Sequence, residues 1–218
     1  MHIALIGGTG FVGAALLQEL LQRGHRVTAL TRRPAALAPH ERLSTVEADV
    51  LDAAQVAHAV EGADAVASAY NPGWQHPQLY DSYLQGTRAI VDGVRRAGVK
   101  RLLVVGGAGS LHVAPGVQLV DTPEFARQVP PQVVQGAQAA RDALQAMDAE
   151  TTLEWTFVSP PALLQPGERS GRYRLGADEL LMDAGKPAGI SVQDLAVAIV
   201  DELEAPEHVR RRFTVAHS

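Results

Sequence analysis

The sequence predicts an α/β fold: a single doubly wound domain spanning residues 1–218, with a mainly parallel sheet of about six to seven strands and helices on both faces. Three observations point there. Apolar runs of about five residues alternate with amphipathic stretches of about ten or more. The alternation is strand, helix, strand, helix from the first residues onward. The first apolar run flows directly into a glycine-rich turn followed by a helical pattern. Right-handed crossovers then give the strand order 3-2-1-4-5-6.

The elements follow from the pattern of the residues. His2 to Ile6 is the first strand, and Ala14, Leu17, Leu20 and Leu21 recur at helical spacing between Phe11 and Arg23. Gly24 closes that helix, where a left-handed cap favours a residue without Cβ. Val27 to Thr31 and Leu43 to Glu47 are the second and third strands, Asp52 to Val60 a short helix, and Ala63 to Ala69 the fourth strand. Tyr83, Thr87, Ile90, Val91 and Val94 line one face of a helix from Leu79 to Ala97. Arg101 to Val105 reads as a central strand buried on both faces. A helix fits Pro131 to Met147, and Glu154 to Ser159 is the sixth strand. Ser191 opens the last helix in a capping-box-like arrangement with Asp194, and Arg212 to Ala216 is a candidate seventh strand. Three connections, about 71–78, 106–130 and 160–189, leave the carboxyl ends of strands, where such sheets bind ligands.

Composition narrows the function. The chain is 46% apolar and 20% charged, with formal net charge −5. Nucleic-acid partners are not expected, because the triplet Arg210-Arg211-Arg212 supplies too few phosphate contacts and reads as a solvated strand edge. With no cysteine, thiolate catalysis and cysteine-bound metals are excluded, and no metal site is expected. The opening residues resemble neither a signal peptide nor a membrane span, so a cytoplasmic protein with a small-molecule substrate is expected, as a monomer or homodimer.

Gly7-Gly8-Thr9-Gly10-Phe11-Val12-Gly13 sits between a strand and a helix, the context that a dinucleotide-binding glycine loop requires. One glycine permits the tight turn, Gly10 lets backbone approach a pyrophosphate, and Gly13 lets the helix pack closely. Free N–H groups at the helix start then meet the phosphates. Gly7, Thr9, Gly10, Phe11, Val12 and Gly13 are thus the phosphate-end candidates in this Rossmann-type reading. At the end of the second strand an acid would bind a ribose 2′-hydroxyl, whereas this chain has Arg32 and Arg33. Their guanidinium groups suit a 2′-phosphate, favouring NADP(H) over NAD(H). Asp49 and Val50 follow the third strand as candidates for the adenine, with a turn before a helix as the alternative role for Asp49. Ser68, Ala69 and Tyr70 end the fourth strand and are expected beside ribose and nicotinamide.

At these residues the chain resembles the atypical branch of the short-chain dehydrogenase/reductase superfamily. More closely, it resembles the NADH-flavin reductase family, related to biliverdin/flavin reductases and NmrA-like proteins. The resemblance is carried by the glycine spacing and by Arg101–Ser110, Leu119–Pro123, Trp155–Pro161, Gly171–Gly176 and Ile190–Asp194. It implies that Gly106 and Gly107 after the fifth strand, and Pro160, Pro161 and Ala162 after the sixth, border the nicotinamide. Typical members of the superfamily carry Tyr-x-x-x-Lys on the helix after the fifth strand; residues 131–147 contain neither Tyr nor Lys. The serine that biliverdin/flavin-type reductases use aligns with Gly107. Ser110 is the nearest hydroxyl, as a proton donor or as a cap of its own loop, and His76 and His112 are the remaining proton-donor candidates, with a surface histidine as the alternative for each. Trp74 is a candidate to stack on a planar substrate or to cover its own loop. The expected activity is an NADPH-dependent reductase of a flavin or other planar acceptor. A non-catalytic NADP-binding sensor and an epimerase/dehydratase-like enzyme are the alternatives.

Overall fold

The computed structural model describes residues 1–218. The chain begins β1 (His2–Ile6), α1 (Phe11–Gln22), β2 (Arg26–Thr31), β3 (Leu43–Glu47), α2 (Ala53–Val60), β4 (Ala65–Ser68), α3 (Leu79–Arg96) and β5 (Arg101–Val105). A hairpin of β6 (His112–Ala114) and β7 (Val117–Gln118) precedes the short α4 (Pro123–Gln128), then α5 (Pro131–Met147) and β8 (Glu154–Ser159). The strands β9 (Leu163–Gln165), β10 (Arg174–Gly176), β11 (Met182–Asp183), β12 (Lys186–Pro187) and β13 (Gly189–Ser191) lead into α6 (Val192–Glu204) and β14 (Arg211–Ala216).

Eight strands form the main sheet in the order β10-β14-β8-β5-β4-β1-β2-β3. The expected order holds for the six strands β3-β2-β1-β4-β5-β8, and β14 continues the sheet in parallel beside β8. Two expectations need correction. β10, within the segment read as a loop, joins the sheet antiparallel to β14. A three-residue strand is too short to show a period, which is why the pattern missed it. Arg212 is therefore not on a solvated edge: its side chain is only 6% exposed and ion-paired with Asp178 at 2.6 Å.

Alternation along each strand divides the core. Ile3, Leu5, Leu103 and Val105 face α1 and α6, where Leu16, Leu20, Leu195 and Ile199 complete one apolar layer. Ala4, Ile6, Leu102 and Val104 point to the other side, against Val56 of α2, Ile90 and Val94 of α3 and Met147 of α5. Burying side chains of this size stabilises by about 1.5–3 kcal/mol each, so a register slip of one residue would exchange the two layers and is strongly opposed.

The amino end of the sheet is sealed by charge. Arg101, on β5, donates to the Glu202 carboxylate at 2.8 Å and to Thr156 Oγ1 at 2.7 Å. Glu202 also accepts from the backbone N–H and ring nitrogen of His208. Burial alone would raise the Glu202 pKa, but the His208 contacts and the Arg101 charge hold it below its ordinary value of 4.5. Both side chains are less than 10% exposed, so removing one partner strands the other charge. Glu202→Gln should lower unfolding free energy by about 3–5 kcal/mol in urea titrations at neutral pH. A carboxylate with a depressed folded-state pKa contributes stability above 4.5 and loses it as pH falls. The gap between wild type and variant should therefore narrow in acid.

Candidate functional site

The turn after β1 is backbone packed on backbone. Gly7 takes φ +83°, and a Cβ there would stand 2.5 Å from the carbonyl oxygen of Ala69. Its own carbonyl accepts from the Gly10 N–H at 2.9 Å. A Cβ on Gly13 would lie 2.0 Å from that same Gly7 oxygen. Gly13 thus lets α1 close onto the turn. Gly10 is exposed, and a Cβ there would meet only the Gly7 oxygen, at 3.3 Å. No side chain caps α1, its first turn has no acid, and the N–H groups of Phe11, Val12 and Gly13 meet no acceptor within the chain. Thr9 and Phe11 stand exposed beside them. This cradle fits a diphosphate, because three free donors and the helix dipole converge where a side chain would obstruct.

Beyond the turn, Arg32 and Arg33 are exposed, and neither guanidinium makes a hydrogen bond or ion pair. Asp49 Oδ1 accepts from Leu51 N–H at 3.0 Å, a turn role, while Oδ2 makes no bond. The helix cap itself is Asp52, which accepts from Ala54 and Gln55. Val50 packs on the α2–α3 layer of the core. Ser68 is buried, and Ala69 N–H bonds the Ile6 carbonyl at 2.9 Å. The Tyr70 ring fills the space over Gly86 and donates to the Ser82 carbonyl at 3.0 Å. Its phenol is pushed up to about 12 by burial, with Arg32 opposing and Asp49 adding to the rise. Arg32, Asp49 and Tyr70 thus share one neighbourhood at the carboxyl ends of β2, β3 and β4.

On the other side of the sheet, Gly106 follows β5 with its N–H on the Val158 carbonyl at 2.8 Å. A Cβ on Gly106 would meet the buried Phe157 ring at 2.0 Å, whereas one on Gly107 would meet only Ala140 Cβ at 3.7 Å. Pro160 and Pro161 are buried and Ala162 is exposed, just before β9 pairs with β13. Ser110 requires correction as an acid candidate. It is 1% exposed, and its hydroxyl faces Ser159 Oγ at 3.4 Å and Arg212 Nη1 at 3.0 Å, so it closes its own loop. His112 is half-buried where β6 meets Glu179. His76 is exposed, and its Nδ1 accepts from Gln78 N–H at 3.2 Å.

Several structural anchors were not foreseen. Glu19 of α1, 3% exposed, receives Arg169 through two bonds of 2.7 and 2.8 Å as well as Arg23 at 2.6 Å. Those contacts, Arg169 foremost, hold its carboxyl below the usual range despite burial. Asp194 is fully buried and accepts from Ser170 Oγ at 2.7 Å and Gly171 N–H at 2.8 Å. Its carboxylate holds this turn rather than returning to the Ser191 N–H, which bonds His217. The only sequence hint was an acid lying among Leu16, Leu17 and Leu20. A cleft of about 310 Å³ between α3 and α5 is lined by Arg95, Met147 and Glu150, at the amino ends of the strands. No group of three or more His, Cys, Asp or Glu residues is placed to hold a metal. No helix is long and apolar enough to cross a membrane.

An uncapped helix amino terminus behind a glycine turn, at the carboxyl edge of a parallel sheet, defines a nucleotide-binding Rossmann domain of the dehydrogenase/reductase type. The chain belongs to the NAD(P)H-binding family, whose model matches residues 7–206. It is 38% identical to the uncharacterized protein YwnB of Bacillus subtilis (strain 168) over 220 residues, covering 99% of this chain and 98% of that one. A solved structure from Bacteroides thetaiotaomicron, provisionally named an epimerase, is 44% identical, with TM-score 0.91 over 99% of this chain and 96% of that one. Another, from Streptococcus pneumoniae TIGR4 and provisionally named an NADH-flavin reductase, is 29% identical, with TM-score 0.82 over the whole of both chains.

The two glycines after β5 should respond oppositely to a methyl group. Gly106→Ala, forced against an immobile Phe157, should cost on the order of 1–3 kcal/mol, lowering Tm by roughly 3–10 °C. Gly107→Ala should stay within about 0.5 kcal/mol of wild type. Thermal unfolding of the two variants checks this.

Proposed function

We propose that the protein is an NADPH-dependent reductase that passes a hydride to a flavin or another planar acceptor. The observation that carries the coenzyme preference is the pair Arg32 and Arg33, exposed and unpaired at the end of β2 where no acid stands. A guanidinium there would take a 2′-phosphate through charge-assisted bonds. The bare N–H groups of Phe11, Val12 and Gly13 would hold the diphosphate, and the Ser68–Tyr70 backbone would run beside the ribose. Asp49, with one oxygen free, remains a candidate partner for the adenine amino group, and Gly106, Gly107, Pro160, Pro161 and Ala162 for the nicotinamide wall.

The coenzyme supplies the hydride. What the chain withholds is the usual proton donor: α5 lacks Tyr and Lys, and Ser110 is enclosed, which leaves only His76 and His112 as candidates. That composition suits an acceptor such as a flavin or quinone, which takes a hydride first and can draw the one proton it then needs from water. It counts against carbonyl–alcohol and epimerase chemistry, which need a positioned acid or base. A cytoplasmic location accompanies this reading, since the reduced coenzyme must be replenished by metabolism.

Arg32→Asp should weaken NADPH binding roughly 10- to 100-fold, the worth of one charge-assisted contact, while NADH changes less than about threefold. Calorimetric titration of both coenzymes measures this, and equal losses would remove the 2′-phosphate role. Loss of the reduced-nicotinamide absorbance on adding FMN or a quinone tests the reductase reading. Tight NADPH binding without turnover on any acceptor would favour a sensor instead.

A further inference from the structure

The loop between β4 and α3 carries an aromatic ring whose placement the coenzyme site leaves unexplained. Trp74 is 51% exposed. One edge of its indole nevertheless rests on α5, where a Cβ on Gly136 would lie 2.8 Å from Cζ3 and 3.4 Å from Cη2. The loop is braced locally, with Gly73 N–H on Asn71 Oδ1 at 2.7 Å and His76 N–H on the Gly73 carbonyl at 2.9 Å. The ring is therefore seated by the absence of a side chain at Gly136, yet half of it faces water.

Its address is set by α5. Gly136 and Ala140 stand one helical turn apart on the same stripe, about 5–6 Å between side-chain positions. Ala140 is the residue against which Gly107 lies, and Ala137 packs on Gly109. The loop itself starts at Ala69, in contact with Gly7. The indole thus rests one helical turn from the residue that Gly107 faces, on the helix that carries neither Tyr nor Lys.

The geometry points to Trp74 as a stacking platform for the acceptor: a planar, conjugated ring system such as an isoalloxazine or a quinone, bound face-on against an indole that Gly136 holds by its edge. This inference rests on the reductase reading for the identity of the acceptor, but its physical content is separate. An exposed indole face attracts planar π-systems in offset stacking without any hydrogen-bond code.

Fluorescence tests it directly. The chain has two tryptophans, and Trp155 is 3% exposed with its indole N–H on the Glu150 carbonyl. Titration with FMN, and separately with menadione, should quench wild type saturably, and Trp74→Phe should lose that component while keeping acceptor KM within about threefold. Trp74→Ala should raise acceptor KM roughly 5- to 10-fold and leave NADPH KM unchanged. Gly136→Leu, which evicts the indole without altering it, should reproduce the alanine variant. Quenching that persists in Trp74→Phe, or an unchanged acceptor KM in Trp74→Ala, overturns the platform even if turnover stands. Saturable, Trp74-dependent quenching in a protein that oxidises no NADPH supports the platform and overturns the reductase reading alone.

Discussion

The carbonyl of Gly7 is the pivot of this molecule. It is clamped between the N–H of Gly10 and the bare α-carbon of Gly13, while the other side of Gly7 lies against Ala69. Three chain segments meet with no side chain between them. Because they do, α1 starts directly at the end of β1, its donors stay free, and the end of β4 is drawn alongside. The phosphate end and the nicotinamide end of the candidate site are thereby parts of one backbone junction, held in register by contacts that tolerate no methyl group.

The two ends of the sheet solve opposite problems. At the carboxyl end, polar backbone is left unpaired and side chains are small, which leaves room for a ligand rich in its own charges and rings. At the amino end, a buried guanidinium is matched through its two terminal nitrogens by a carboxylate, a hydroxyl and carbonyls, while its Nε finds no partner. A buried ion pair of this kind contributes little net stability over an apolar pair, but it fixes how β5, β8 and α6 meet.

Much of this was legible in the residues. β1, β5, α5 and β8 were bounded as observed, because their apolar runs or stripes are continuous and their flanks carry proline, glycine or charge. The tight turn after β1 was legible too, because glycine spacing records a backbone demand. What stayed hidden depends on residues far apart in sequence. Arg212 meets Ser110 across 102 positions, and Glu19 meets Arg169 across 150, so no local period announces either. β10 and the small hairpins span two or three residues and exist only because a neighbouring edge is there to receive them.

The grip of Glu19 on Arg169 has a consequence for how the protein can diversify. The helix that starts at the glycine turn also anchors, near its far end, the segment at Arg169, and Asp194 at the start of α6 pins the same segment one residue further along. That segment is therefore tied to the same helix as the glycine turn. Sequence change falls more easily on the parts outside that grip, namely the Trp74 loop and the hairpins at 112–118 and 182–187, which can be exchanged while the turn keeps its geometry.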